Sequence, residues 1–213
     1  MFEDRKEAGR QIGEALEQYR NENPLILGIP RGGVMIAAEA ARHLGVRFTL
    51  IIARKLPFPR NPEAGFGAIA EDGSTFVLEE AAVSVSKEEI EEIKANQKKE
   101  ITRRVEKLRG GKPLPDLKGK TVILTDDGIA MGSTMRASVS MCRNKEAGKV
   151  VIAVPVCSPR VQDTMKSLAD DVVVLESPPG FRAVAEVYRH WYDVSDREVL
   201  DILSNYSAEY AGK

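Results

Sequence analysis

The sequence predicts an α/β fold, a parallel twisted sheet flanked by helices, and three observations carry that prediction. Apolar, largely β-branched runs at 25–29, 47–53, 121–125, 149–156 and 171–175 have the length and continuity of strands covered on both faces. Helical patterns alternate with them, as strand–helix–strand crossovers require. Glycine-containing turns follow two of these runs directly, at the carboxyl ends where open α/β sheets bind ligands. At 213 residues the chain suits one domain (1–213) with a small appended part.

The opening helix is expected over 4–19, where Ala8, Ile12, Ala15, Leu16 and Tyr19 recur at helical spacing and give it a packing role. Residues 21–24 break the pattern before the first core strand. Pro30, Arg31, Gly32 and Gly33 then lead into an alanine-rich helix over 34–44, closed by Gly45. A second strand over 47–53 places Arg54 and Lys55 at its end.

The character changes over 56–115, which reads as an inserted loop and helix segment. Pro57, Pro59 and Pro62 punctuate a loop, and 65–70 with 75–78 form a hairpin around Asp72-Gly73. A long charged helix over 86–108 follows, with Ile90, Ile93, Ile101, Val105 and Leu108 on one face and a solvated face of Glu and Lys. Gly110 and Gly111 end it.

Beyond the strand at 121–125, Asp126 and Asp127 stand where the strand stops. Residues 128–132 make a small-residue turn, and Ser133 and Thr134 are placed to cap a helix running to about 146. A strand over 149–156, a helix over 159–168 and a strand over 171–175 complete the sheet. Residues 176–213 form a terminal hood and closing segment, with a last helix over 196–203.

Composition narrows the function. Lys+Arg of 31 against Asp+Glu of 32 leaves a net charge of −1, so no global positive field recruits nucleic acid. Cys142 and Cys157 build neither a disulfide framework nor a zinc site and read as buried thiols in a reducing cytoplasm. His43 and His190 lack the neighbours of a metal site or nucleophilic relay. The charged N-terminus is unlike a signal peptide, and no apolar run reaches the ~20 residues that span a bilayer. A soluble cytoplasmic protein without membrane contact is expected.

The strand, acidic pair, glycine turn and helix start at 120–138 imply a specific ligand. Backbone N–H groups of the turn and of the first helical turn, with two hydroxyls, suit a phosphate dianion. The acidic pair repels that phosphate and suits vicinal hydroxyls or a hydrated Mg2+ beside it. Ribose 5-phosphate has this layout. Arg31, Gly32 and Gly33 form a second anion loop of the same type, so the two loops together suit both ends of a polyphosphorylated ligand.

The run VILTDDGIAMGST at 122–134 resembles the PRPP-binding motif of type I phosphoribosyltransferases, where PRPP is 5-phosphoribosyl 1-diphosphate. The resemblance extends from about 25 to 175, and with the inserted segment and aromatic tail it is nearest to the uncharacterised group of phosphoribosyltransferases. It implies that Asp126 and Asp127 hold the ribose hydroxyls while Gly128, Ile129, Ala130, Met131, Gly132, Ser133 and Thr134 wrap the 5-phosphate. Met131 departs from the motif, where many members carry a small or hydroxylated residue. Arg31, Gly32, Gly33, Arg54 and Lys55 would bind pyrophosphate, the loop of the first three often having an unusual backbone. Asp126, Asp127, Lys55 and Arg31 would be the catalytic set. Phe181, Trp191 and Tyr192 are candidates to stack on the acceptor or, equally, to fill the core. The segment at 56–115 would be a closing lid or a dimerisation arm.

The implied activity is a pentosyl (glycosyl) transfer of nucleotide metabolism: PRPP gives its phosphoribosyl group to a nitrogen acceptor, such as a nucleobase, and releases pyrophosphate. Mg2+ is the expected cofactor, held through PRPP rather than by direct protein ligands, and a homodimer is the expected assembly. The alternative is a non-catalytic regulatory protein that binds PRPP or a nucleotide.

Overall fold

The computed structural model describes residues 1–210. In chain order it contains helix α1 (Arg5–Ala15), strand β1 (Leu25–Gly28), helix α2 (Gly32–Leu44) and strands β2 (Phe48–Leu50), β3 (Ala53–Phe58), β4 (Asn61–Ala70) and β5 (Thr75–Val77). Helices α3 (Glu79–Ala82) and α4 (Lys87–Arg109) precede strand β6 (Thr121–Thr125), helix α5 (Ser133–Asn144) and strand β7 (Lys149–Val156). Helix α6 (Pro159–Lys166), strand β8 (Asp171–Glu176) and helix α7 (Asp196–Tyr210) complete it.

The main sheet has the order β2-β1-β6-β7-β8, with every neighbouring pair parallel. Side chains alternate across it. Leu25, Leu27, Val122 and Leu124 face Met135, Val139 and Met141 of α5, while Ile26, Ile123 and Val151 face Ile12 of α1 and Ile36 and Ala40 of α2. Both faces are covered, which is why these strands are continuously apolar in sequence.

This order also sets the site. From β1 the chain crosses through α2 to β2 on one side, and from β6 it crosses through α5 to β7 on the other, with α2 and α5 on opposite faces. The loops after β1 and β6 therefore diverge and leave a crevice between adjacent strand ends.

The expected strand at 47–53 is divided. Only Phe48–Leu50 joins the parallel sheet, while Ala53 opens an antiparallel sheet of order β3-β4-β5 in which Ala53 pairs with Ala70 and Lys55 with Ala68. Arg54 and Lys55 thus lie inside an antiparallel strand rather than at the end of a parallel one. Pro57 and Pro62, expected in a loop, belong to β3 and β4 instead, Pro57 at a register shift of the edge strand. The Asp72-Gly73 turn is as expected: Gly73 has φ +91°, and Asp72 Oδ1 accepts from Ser74 N at 2.8 Å.

Within 56–115 the long helix starts at a capping box formed by Ser86 and Glu89 and stops at Gly110, whose φ of +59° lies in the left-handed region that favours glycine. Its buried Ile101 and Leu108 join Leu56 and Phe66 of the small sheet and Val199 of α7 in a third cluster. Helix α7 continues past the expected 196–203 to Tyr210 because Tyr206 packs edge-on against Phe48 at 4.6 Å. The closing segment can be followed to residue 210; its last three residues, 211–213, lie outside the described ones. Among the described residues no helix is long and apolar enough to cross a membrane.

Candidate active site

Strand β6 delivers Asp126 and Asp127 to the crevice, and the loop after β1 is fastened to them. Ile29 N donates to Thr125 O at 2.9 Å, and Thr125 Oγ1 donates to Gly33 O at 3.2 Å. Approach is so close that a Cβ on Gly33 would fall 2.7 Å from Thr125 O and 2.8 Å from Asp126 Cα. The Pro30–Arg31 peptide in this loop is cis, an unusual backbone at the place where the family resemblance implied one.

After the acidic pair the chain runs against the end of β7. Ile129 N donates to Val156 O at 2.8 Å, and the Ile129 side chain is buried, so neither its N–H nor its side chain is free for the phosphate expected of it. Gly132 has φ +79° and occupies the N-cap position of α5. Ser133 and Thr134, expected as caps, are instead the first two residues of the helix. No side-chain hydrogen bond caps this helix, so its first-turn N–H donors face outward.

Asp126 and the loop 128–134 open on one cavity of about 260 Å3, whereas Asp127 and residues 31–33 lie outside its lining. Asp126, the loop 128–134, Lys55, Val184 and residues 63–65 and 67 of β4 line it. Lys55 reaches across β4, its ammonium donating to the Glu63 carbonyl. Gly65 makes room: a Cβ there would fall 2.5 Å from Lys55 Cγ.

The other expected residues are placed elsewhere. Arg54 alternates to the opposite side of β3, where its Nε donates to Gln97 Oε1 of α4 at 3.1 Å and burial, then the nearby Arg104 charge, lowers its pKa. Arg31 points toward α7, with 3.9 Å between Nη1 and Asp196 Oδ1. Phe181 packs, partly buried, against the α1/α2 cluster. Tyr192 is exposed, with its hydroxyl 3.9 Å from Met35 Sδ. One face of Trp191 is taken by the Arg5 guanidinium, 3.9 Å from the ring centroid.

Arg5 is the functional candidate that sequence reasoning missed. Its side chain is 3% exposed, Nε donates to Asp127 Oδ2 at 2.8 Å, and Nη1 donates to Tyr192 O at 2.9 Å. Tyr188 closes the group by donating its hydroxyl to Asp127 O at 2.7 Å. A signal was present: Arg5 stands on the same helical face as Ala8 and Ile12, a charge on an otherwise apolar stripe.

Electrostatics separates the two carboxyls. Burial, then the adjacent Asp127 charge, pushes the Asp126 carboxyl well above the usual carboxylate range. Burial also raises Asp127, but the Arg5 guanidinium beside it works in the opposite direction. Asp126 is therefore the group that holds a proton longer. Both cysteine thiols are pushed up by burial, Cys142 to about 12 and Cys157 to about 11.

The phosphoribosyl transferase domain model matches residues 2–190. The chain belongs to this family. A protein of Mycobacterium tuberculosis provisionally named phosphoribosyl transferase is 35% identical over 213 residues, 99% of this chain but 48% of that protein, so the chain spans about half the length of the curated relatives it matches. The crystal structure of TT1426 from Thermus thermophilus overlays with TM-score 0.81 and 37% identity, covering 97% of this chain and 99% of that one. A purine phosphoribosyltransferase from Pyrococcus horikoshii overlays at TM-score 0.49 with 17% identity, over 88% of this chain and 90% of that one, too loosely to bear on chemistry. Of the motif at 122–134, Asp126 and residues 128–134 line the cavity described above.

Proposed function

We propose that the chain binds PRPP in this cavity and transfers its 5-phosphoribosyl group to a nitrogen acceptor, a nucleobase being the first class to test. The observation that carries this reading is that Asp126 and the uncapped start of α5 open on the same cavity. Ribose 5-phosphate carries a phosphate and vicinal hydroxyls on one small ring, which suits a helix start with a carboxylate beside it.

In this reading the bond between the anomeric carbon and the diphosphate oxygen breaks as the acceptor nitrogen lone pair forms the new bond, and the acceptor's N–H proton is released. No protein nucleophile is required. The loop 128–134 and the acidic pair fix the sugar so that the anomeric carbon is presented to both groups. Lys55, released from the Glu63 carbonyl, and Arg31, turned back from Asp196, neutralise the leaving diphosphate, with backbone N–H groups at Gly32 and Gly33 as further donors. Arg54, turned toward α4, would assist only through its field.

Among the described residues no three His, Cys, Asp or Glu side chains converge as metal ligands. Two carboxylates with one already paired to Arg5 suit a Mg2+ carried mainly by phosphate oxygens and water, which would supply charge neutralisation at the leaving group. Titration calorimetry of PRPP with Mg2+ onto the wild type and the Asp126→Asn, Asp127→Asn double variant tests the site. Loss of binding in a folded double variant supports the assignment, and unchanged affinity removes it.

A further inference from the structure

The two carboxylates at the end of β6 are chemically unequal. Asp126 lines the cavity, whereas Asp127 is tied through Oδ2 to an arginine delivered by the first helix. That arginine is enclosed: the Trp191 ring lies over its guanidinium at 3.9 Å, Tyr188 and Tyr192 are at 5.8 Å and 5.7 Å, and the Tyr192 carbonyl accepts from Nη1. A fully buried cation is costly unless its partner needs it. Removing it would leave two neighbouring carboxylates in a poorly solvated crevice, where both cannot ionise near neutral pH.

We propose that Arg5 is the positioning residue of the acidic pair: it fixes the Asp127 carboxylate and, by cancelling that charge, allows Asp126 to ionise and accept the sugar hydroxyls. This rests on the PRPP reading above and adds a residue outside the motif to it. The C-terminal strap 188–192 then acts as a cover that keeps water from the ion pair, linking both ends of the domain to one site. Other charged or titratable groups face this cluster: Asp4 at the cap of α1, the Tyr188 and Tyr192 hydroxyls, and Glu198 of α7. Arg5 is the cation bonded to the pair among the described residues.

The test is the PRPP dissociation constant, with Mg2+, measured from pH 5.5 to 9 for the wild type, Arg5→Met, Arg5→Lys and Asp126→Asn, each checked for folding by thermal melt. Taking the ratio of variant to wild type at each pH cancels the titration of the ligand's own phosphates. Arg5→Met is expected to bind at least tenfold more weakly at pH 7, with the ratio shrinking as pH rises, because without the cation Asp126 ionises only at higher pH. Arg5→Lys keeps the charge but gives up the stack on Trp191 and the second bond to Tyr192 O, so it is expected to bind more weakly than wild type yet more tightly than Arg5→Met at pH 7, with a ratio that stays nearly flat across the pH range. A constant ratio for Arg5→Met, or wild-type binding by it, overturns the inference. Should Arg5→Met not fold, Arg5→Gln is read in its place, and a constant ratio for it overturns the inference in the same way. Wild-type affinity in Asp126→Asn would show that the PRPP reading itself had failed; loss there with a flat Arg5→Met ratio would sink the positioning role alone.

Discussion

Gly32 and Asp127 lie so close that a Cβ on Gly32 would fall 1.8 Å from Asp127 Oδ2. The glycine is therefore fixed by the neighbouring loop, since any side chain would displace the carboxylate that Arg5 holds. Gly32→Ala is expected to lower stability by about 1–3 kcal/mol through overpacking and to weaken PRPP binding more than the stability loss explains. Denaturant melts alongside calorimetry check both parts.

Asp126→Asn should behave in opposite ways on fold and function. The folded carboxyl is raised above its unfolded value, so the wild type has its full stability contribution below the unfolded pKa and loses it as pH rises through the folded pKa. Replacing the carboxyl by an amide removes that loss. The Tm of the ligand-free variant is expected to exceed wild type at pH 8, with the gap closing near pH 4, while PRPP binding is lost.

Lys55 is exposed and donates only to a backbone carbonyl, so its removal should spare the fold. Lys55→Met is expected to leave Tm nearly unchanged and to lower kcat/KM for the transfer by roughly 10²-fold, the scale of one lost electrostatic contact to a developing charge. Gly65→Ala should mimic part of that loss by pushing the lysine stem aside.

The two thiols provide a check on the packing. Both cysteines are buried with raised pKa values, about 12 and about 11, so little thiolate exists at neutral pH. Native protein is expected to react slowly with Ellman's reagent at pH 8, and denaturant should release two thiols per chain.

Much of this was legible in the sequence because local chemistry and tertiary role agreed. The run at 121–125 followed by Asp126, Asp127 and a glycine turn has one natural reading in an α/β protein, and the helix ends at Gly45 and Gly110 follow from glycine's access to positive φ. The second strand was misjudged at 47–53 because Ile51 and Ile52 are buried at the junction of two sheets, and hydrophobicity alone does not mark where pairing changes from parallel to antiparallel. That error placed Arg54 and Lys55 side by side, whereas strand alternation sends them to opposite faces. Arg5 was overlooked for a different reason: its partner is 122 residues away, and no local pattern announces such a contact. Trp191 and Tyr192 stand near that contact rather than on the cavity that holds Asp126.

The most direct measurement is pyrophosphate release from PRPP with Mg2+ across a panel of purines, pyrimidines and other nitrogen acceptors, for the wild type and Asp126→Asn. The expected result is acceptor-dependent release by the wild type, with product carrying the phosphoribosyl group, and none from the variant. Equal release by both proteins, or no acceptor-dependent release by wild type that binds PRPP, would contradict the account.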